Sequence, residues 1–70
     1  MTELDISMEE FRLYTYADGS TFRISEPDTL WILDSGSHRV GDRAGLVHRP
    51  TPGWVGISWK PVPGAVRFVA

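Results

Sequence analysis

FRLYTYADGSTFRIS, residues 11–25, is the stretch that decides the fold. On both sides of Asp18-Gly19, apolar or aromatic residues alternate with polar ones, which is the pattern of strands whose side chains point in turn to opposite faces. Asp-Gly is a common centre for a two-residue turn, because both central positions of that turn need positive φ. The stretch therefore predicts an antiparallel β-hairpin.

A two-residue turn also predicts the register of this hairpin. It sets Leu13 opposite Ile24 and Thr15 opposite Phe22, so that the apolar partners share one face. That face is predicted to lie against the core. The opposite face is then exposed, and it carries Tyr14, Tyr16 and Arg23.

The apolar run at residues 29–34 is too short for a stable helix and predicts a further strand. Ser35-Gly36 is predicted to turn it back into the strand that begins near His38. Because burying unpaired arginines is costly, the face that contains Arg39 and Arg49 is predicted to be exposed. On that face the pattern places Leu30, Ile32 and Val47, and on the core face it places Trp31, Leu33, His38, Val40, Leu46 and His48.

A near-repeat occupies the C-terminal third. Arg49-Pro50-Thr51-Pro52-Gly53-Trp54-Val55 is followed eleven positions later by the similar phrase at residues 60–66. Pro-Gly suits the centre of a type II turn, so each copy predicts a turn that leads into one of the last two strands. The residues predicted to face inward are Val55, Ile57 and Trp59, then Val66 and Phe68, while Trp54 is out of phase and predicted to be exposed. A polyproline ligand is the less favoured interpretation.

These patterns predict an all-β single domain of about six or seven short antiparallel strands, either an SH3-like barrel or a small sandwich. The β domain spans residues 11–70. Residues 1–10 are expected to be a flexible or irregular segment, or a one-turn helix, because Ser7 and Glu10 fit a capping box. The length of 70 residues and 41% hydrophobic content agree with one small globular domain.

The charge of the chain is unevenly distributed. Residues 1–34 hold two arginines and eight acidic residues, giving 2 − 8 = −6, whereas residues 35–70 hold five basic residues and one acidic residue, giving 5 − 1 = +4. The halves are expected to attract each other. The absence of cysteine argues against a disulfide scaffold and a thiolate metal site. Without a recognisable signal peptide or spanning segment, the expected location is the cytoplasm.

Few residues of the sequence suggest a catalytic or metal-binding site. His38 and His48 are predicted to be cross-strand neighbours, but a metal site needs three or four ligands. A pH-sensitive pair of imidazoles is the alternative hypothesis for them. Ser37 and His38 are adjacent on a strand and so point to opposite faces, which prevents a nucleophile and base pair. We therefore predict no enzyme activity, no catalytic residue, no metal and no cofactor.

The sequence favours a small non-catalytic protein-interaction module or accessory subunit that binds a protein of unknown identity. Self-association through the strand that carries Leu30 and Ile32 is a second mode of binding. The alternatives are a nucleic-acid binder that uses the basic half, against which stands a pI of about 5.5, and more distantly a small inhibitor protein of a mobile element. The predicted partner-binding residues are Tyr14, Tyr16, Arg23, Leu30, Ile32, Arg39, Arg49 and Trp54.

Overall fold

A computed structural model describes residues 1–62, and the predicted last strand with Val66 and Phe68 lies outside them. The described part consists of strands and connecting turns and contains no helix, which confirms the all-β class. The strands are β1 (Thr2–Asp5), β2 (Glu9–Tyr16), β3 (Thr21–Ser25), β4 (Pro27–Ile32), β5 (His38–Asp42), β6 (Val47–His48) and β7 (Trp54–Pro61).

The strands form two antiparallel sheets. One sheet has the order β1-β4-β5-β6 and the other the order β3-β2-β7. Both sheets contribute to one core, where the buried hydrophobic residues are Ile6, Tyr14, Ile24, Leu30 and Val40. The chain passes from the second sheet to the first at Glu26, the one non-glycine residue of the described part with positive φ.

The N-terminal segment is a strand, so the prediction of a one-turn helix there is wrong. β1 pairs with β4 over its whole length, and Leu4 lies opposite Leu30. Ser7 lies instead in a tight turn, closed by a hydrogen bond from the Glu9 amide to the Ile6 carbonyl. Pairing with β4 satisfies the backbone groups of β1 that face this neighbour, whereas a one-turn helix would leave most of its backbone groups without a partner.

Three hairpins of the fold have loops of the same length and conformation. In each, three residues that end in glycine connect the strands, and Gly19, Gly36 and Gly45 have φ of 87°, 88° and 89°. In the first hairpin the Gly19 amide donates to the Tyr16 carbonyl, and the Tyr16 amide donates to the Ser20 carbonyl. The other two loops have the same pair of hydrogen bonds. This is the pattern of a type I turn followed by a bulge at a left-handed glycine, and it differs from the predicted two-residue turn.

The extra loop residue shifts the register of the first hairpin by one position. Tyr14 pairs with Phe22 and Arg12 with Ile24, whereas Leu13 pairs with Arg23. A shift of one residue exchanges the two faces of a strand. The prediction that Leu13 and Phe22 face the core together, with Tyr14 exposed, is therefore wrong: Tyr14 is completely buried.

The same difference reverses the predicted faces of β4. Leu30 pairs with Val40 and Ile32 with His38, so Leu30 and Ile32 pack in the core. Trp31 lies on the outer face instead, paired with Arg39. The predicted solvent-facing patch of Leu30 and Ile32 does not exist, and neither residue is available for self-association through that face.

β7 contains a bulge that reverses the prediction for its first residues. Thr15 pairs with Gly56 and Tyr16 with Trp54, which leaves Val55 as the extra residue. Trp54 therefore packs against the core, and Val55 is 69% exposed. Ile57 faces inward as predicted.

Candidate functional site

A chain of polar side chains runs through the centre of the molecule between the two sheets. Arg12 donates two hydrogen bonds to Glu9, from Nε to Oε1 at 2.9 Å and from Nη2 to Oε2 at 2.8 Å. The Tyr14 hydroxyl lies 3.5 Å from Arg12 Nη1 and 2.7 Å from His38 Nδ1. Glu9 and Arg12 are 3% and 6% exposed, so this ion pair is almost free of solvent.

The titration of these groups follows from their burial. Burial disfavours the charge on Arg12, but the hydrogen bonds to Glu9 and Tyr14, together with the electrostatic attraction of these two groups, outweigh this effect and raise the pKa of Arg12. Burial raises the pKa of Tyr14. Burial and the nearby charge of Arg12 together lower the pKa of His38, which favours the neutral imidazole.

An aromatic cluster continues from this polar chain toward one end of the molecule. The ring of Trp54 lies 5.0 Å from that of Tyr14 and 4.7 Å from that of His38. Tyr16, opposite Trp54 on β2, donates from its hydroxyl to the Thr51 carbonyl at 2.8 Å. These contacts hold the rings of β2 and β7 in place at the surface end of the core.

The cluster ends in a surface hollow of about 310 Å³. We call it the aromatic hollow, and its lining residues are Tyr16, Asp18, Ser20, Phe22, Arg49 and Thr51. They come from the end of β2, the first hairpin loop, the start of β3 and the segment after β6. The fold thus brings together two parts of the chain that are distant in sequence, residues 16–22 and residues 49–51.

Aromatic rings and two opposite charges characterise the aromatic hollow. Phe22 is 36% exposed, and its ring packs 6.2 Å from that of His48. Asp18 Oδ1 accepts hydrogen bonds from the Ser20 amide at 2.9 Å and the Ser20 hydroxyl at 2.6 Å. These bonds lower the pKa of Asp18 and keep its carboxylate ionised. Arg49 is exposed on the same rim.

The predicted partner-binding residues are divided among separate places. Tyr16 and Arg49 meet in the aromatic hollow, whereas Tyr14, Leu30, Ile32 and Trp54 belong to the core. Arg23 lies over the Phe11 ring at 4.3 Å, on the outer face of the three-stranded sheet. Arg39 lies beside Trp31 on the outer face of the other sheet, and its buried Nε has no hydrogen-bond partner among residues 1–62.

The two histidines do not form the predicted cross-strand pair. His48 pairs with Val40, and its Nε2 lies 2.7 Å from Asp42 Oδ2. His38 contacts Tyr14 instead. The loop between β5 and β6 has three residues, whereas the prediction assumed five, and this moves the partner of His48 by two positions without changing its face. Within residues 1–62, no group of three or more potential metal-ligating side chains occurs.

Four residues that line the aromatic hollow were not predicted as site residues from the sequence: Asp18, Ser20, Phe22 and Thr51. Phe22 lies on the core-facing side of β3, as predicted, but at the rim of the core, opposite Tyr14, where it is 36% exposed. The sequence signal that could have located the loop residues of the site is Asp18-Gly19-Ser20. There the aspartate side chain can accept a hydrogen bond from the Ser20 amide and favour the three-residue turn.

No helix in the described part of the chain has the length and apolar character needed to cross a membrane. Comparison of the whole chain with protein-family models, with curated proteins and with solved structures finds no match in any of the three.

Proposed function

We propose that this chain is a small non-catalytic protein-interaction module or accessory subunit that binds its partner through the aromatic hollow. The observation that carries the proposal is the meeting of Tyr16, Phe22 and Arg49 in one concave surface. Aromatic residues and arginine are enriched among the residues that dominate binding energy at protein interfaces. A partner side chain placed there would displace water from two rings and stay close to charged groups on the rim.

The rigidity of the aromatic hollow supports this proposal. The Tyr16 ring is fixed by its bond to Thr51 and by the aromatic cluster below it. Phe22 packs against His48, which in turn is held by Asp42. Because the walls are held in place before binding, a partner would not have to offset the entropy of ordering them.

The use of the basic residues favours a protein partner over a nucleic acid. Arg12 is buried against Glu9 and Arg43 donates to the Ser7 carbonyl. Lys60 lies 3.5 Å from Glu10, and Arg23 lies over an aromatic ring. These contacts leave few cations in the described part that could follow a phosphate backbone, on which nucleic-acid affinity largely depends.

The test is the selection of peptides that bind the full chain from a random displayed library, followed by affinity measurements on Phe22→Ser. Phe22 is half-exposed, so the substitution removes an aromatic ring from the aromatic hollow without adding a charge and without removing a core residue. We expect binding to weaken about tenfold or more, the loss typical of an interface anchor. Leu46→Ser is the matched control, since Leu46 is 62% exposed and does not line the aromatic hollow.

Selected peptides that bind Phe22→Ser as tightly as the original chain would contradict the proposal. Steeply salt-dependent binding of single-stranded oligonucleotides, lost on replacing Arg39 and Arg49 with glutamine, would favour the nucleic-acid alternative.

A further inference from the structure

We infer that the aromatic hollow accepts a cationic side chain, a lysine or arginine of the partner, between Tyr16 and Phe22 with its charge directed toward Asp18. This inference rests on the proposed function and specifies the chemistry of the partner at the same site. The partner segment that binds the aromatic hollow is therefore inferred to be basic.

The size and walls of the aromatic hollow fit one such side chain. Its volume of about 310 Å³ is at the lower limit of small-molecule pockets, which run from roughly 300 to 1,000 Å³. One long side chain fits this volume better than a cofactor does. Aromatic ring faces carry partial negative charge, so Tyr16 and Phe22 attract a cation and repel an anion.

Asp18 supplies a negative charge in a fixed position. Both hydrogen bonds from Ser20 reach Oδ1, and no residue of the described part donates to Oδ2. The second oxygen therefore remains available to an incoming ammonium or guanidinium group. Because the carboxylate is already held by its own loop, ion pairing would cost little further side-chain entropy.

Arg49 is the feature of the aromatic hollow that opposes a cation. Its side chain is exposed, and no ion pair connects it to another residue between positions 1 and 62. An exposed arginine can direct its guanidinium to solvent at little cost, whereas Asp18 is held by two bonds. Two rings and a fixed carboxylate thus favour a cation, and one exposed arginine favours an anion.

The experiment is an NMR titration of the full chain with the capped peptide acetyl-Ala-Ala-Lys-Ala-Ala-amide and with its arginine, norleucine and glutamate counterparts. We expect the lysine and arginine peptides to shift the signals of Tyr16 and Phe22. Their affinity should exceed that of the norleucine peptide about three- to tenfold, from one exposed ion pair and cation–π contacts. The glutamate peptide should bind more weakly than all three.

Variants identify the charge that is responsible. Asp18→Asn keeps an oxygen that can accept the Ser20 bonds, and it should reduce lysine binding to the norleucine level. Asp28→Asn removes the same charge from another exposed position and should change nothing. Arg49→Gln should leave lysine binding unchanged or make it tighter.

Four results would overturn the inference. Two concern the original chain: equal affinity for the norleucine and lysine peptides, or no shift of the NMR signals of the aromatic hollow with any peptide. Two concern the variants: an equal loss of lysine-peptide affinity in Asp18→Asn and Asp28→Asn, or tight binding of the glutamate peptide that Arg49→Gln abolishes. If library-selected peptides still lose binding on Phe22→Ser, the proposed function survives each of these results. Binding that is insensitive to Phe22→Ser contradicts the proposed function itself.

Discussion

Arg12 occupies a position where a charged residue is rarely found, in the centre of a small β-domain. A buried charge is tolerated when it is paired and hydrogen-bonded, and Glu9 satisfies that condition. On a regular strand, residues three apart point to opposite faces. The register shift between Glu9 and Phe11 turns Glu9 to the same side as Arg12. Sequence alternation could not predict this pair, because the bulge at Glu10 interrupts the alternation.

Removing one member of the buried pair should destabilise the fold strongly. We expect Arg12→Met to lower the free energy of unfolding by about 3–5 kcal/mol, because it leaves the Glu9 carboxylate buried without its partner. Replacing both members, Glu9→Leu with Arg12→Met, should recover most of the loss, since no uncompensated charge remains. Urea unfolding followed by circular dichroism measures both changes. A double variant no more stable than Arg12→Met would show that the pair does not act as a unit.

At the scale of elements, the sequence predicted most of the strands but missed β1, and it reversed the faces of β2 and β4. Alternation at residues 11–25 and the apolar run at 29–34 indicated strands where β2, β3 and β4 lie. The face of a strand that points inward depends on the length of the loop that joins it to its neighbour. A two-residue loop and a three-residue loop give registers that differ by one position. Tyr16 and Arg49 of the aromatic hollow were among the predicted binding residues, whereas Phe22 was predicted only as a core-facing residue and lies at the rim of the core. A count of apolar residues cannot decide between such loops, because each register aligns some apolar partners.

The conformation of the loops can be tested at Gly19. Its φ of 87° lies in the region where a Cβ atom costs roughly 1–2 kcal/mol, although no other atom lies within 4 Å of the position that a Cβ would occupy. Gly19→Ala should therefore lower the free energy of unfolding by about 1 kcal/mol through backbone strain alone. Gly56→Ala is the control, because Gly56 has no positive φ and its Cβ would also meet open space. Equal thermal midpoints for the two variants would contradict the assigned loop.

At the scale of the whole molecule, ion pairs between the oppositely charged halves contribute little to stability within residues 1–62. Among the ion pairs of residues 1–62, the contact between Lys60 and Glu10 is the one that joins the two halves, and both side chains are largely exposed. Exposed pairs contribute about 0–1 kcal/mol. The halves are joined instead by the pairing of β4 with β5 and of β2 with β7, and by the shared core.

The contact between Tyr14 and His38 joins the two sheets and should make the stability of the molecule depend on pH. The pKa of His38 is lowered in the fold, first by burial and then by Arg12, so the unfolded chain binds a proton more readily. Stability from this group is complete above the ordinary histidine pKa of about 6.5 and falls as the pH decreases toward the folded value. The lowered aspartate pKa values act in a separate window, below about pH 4. His38→Gln should flatten the change in urea midpoint between pH 7.5 and pH 5.5, since glutamine does not titrate there. An unchanged slope in that variant would show that another group senses the acid.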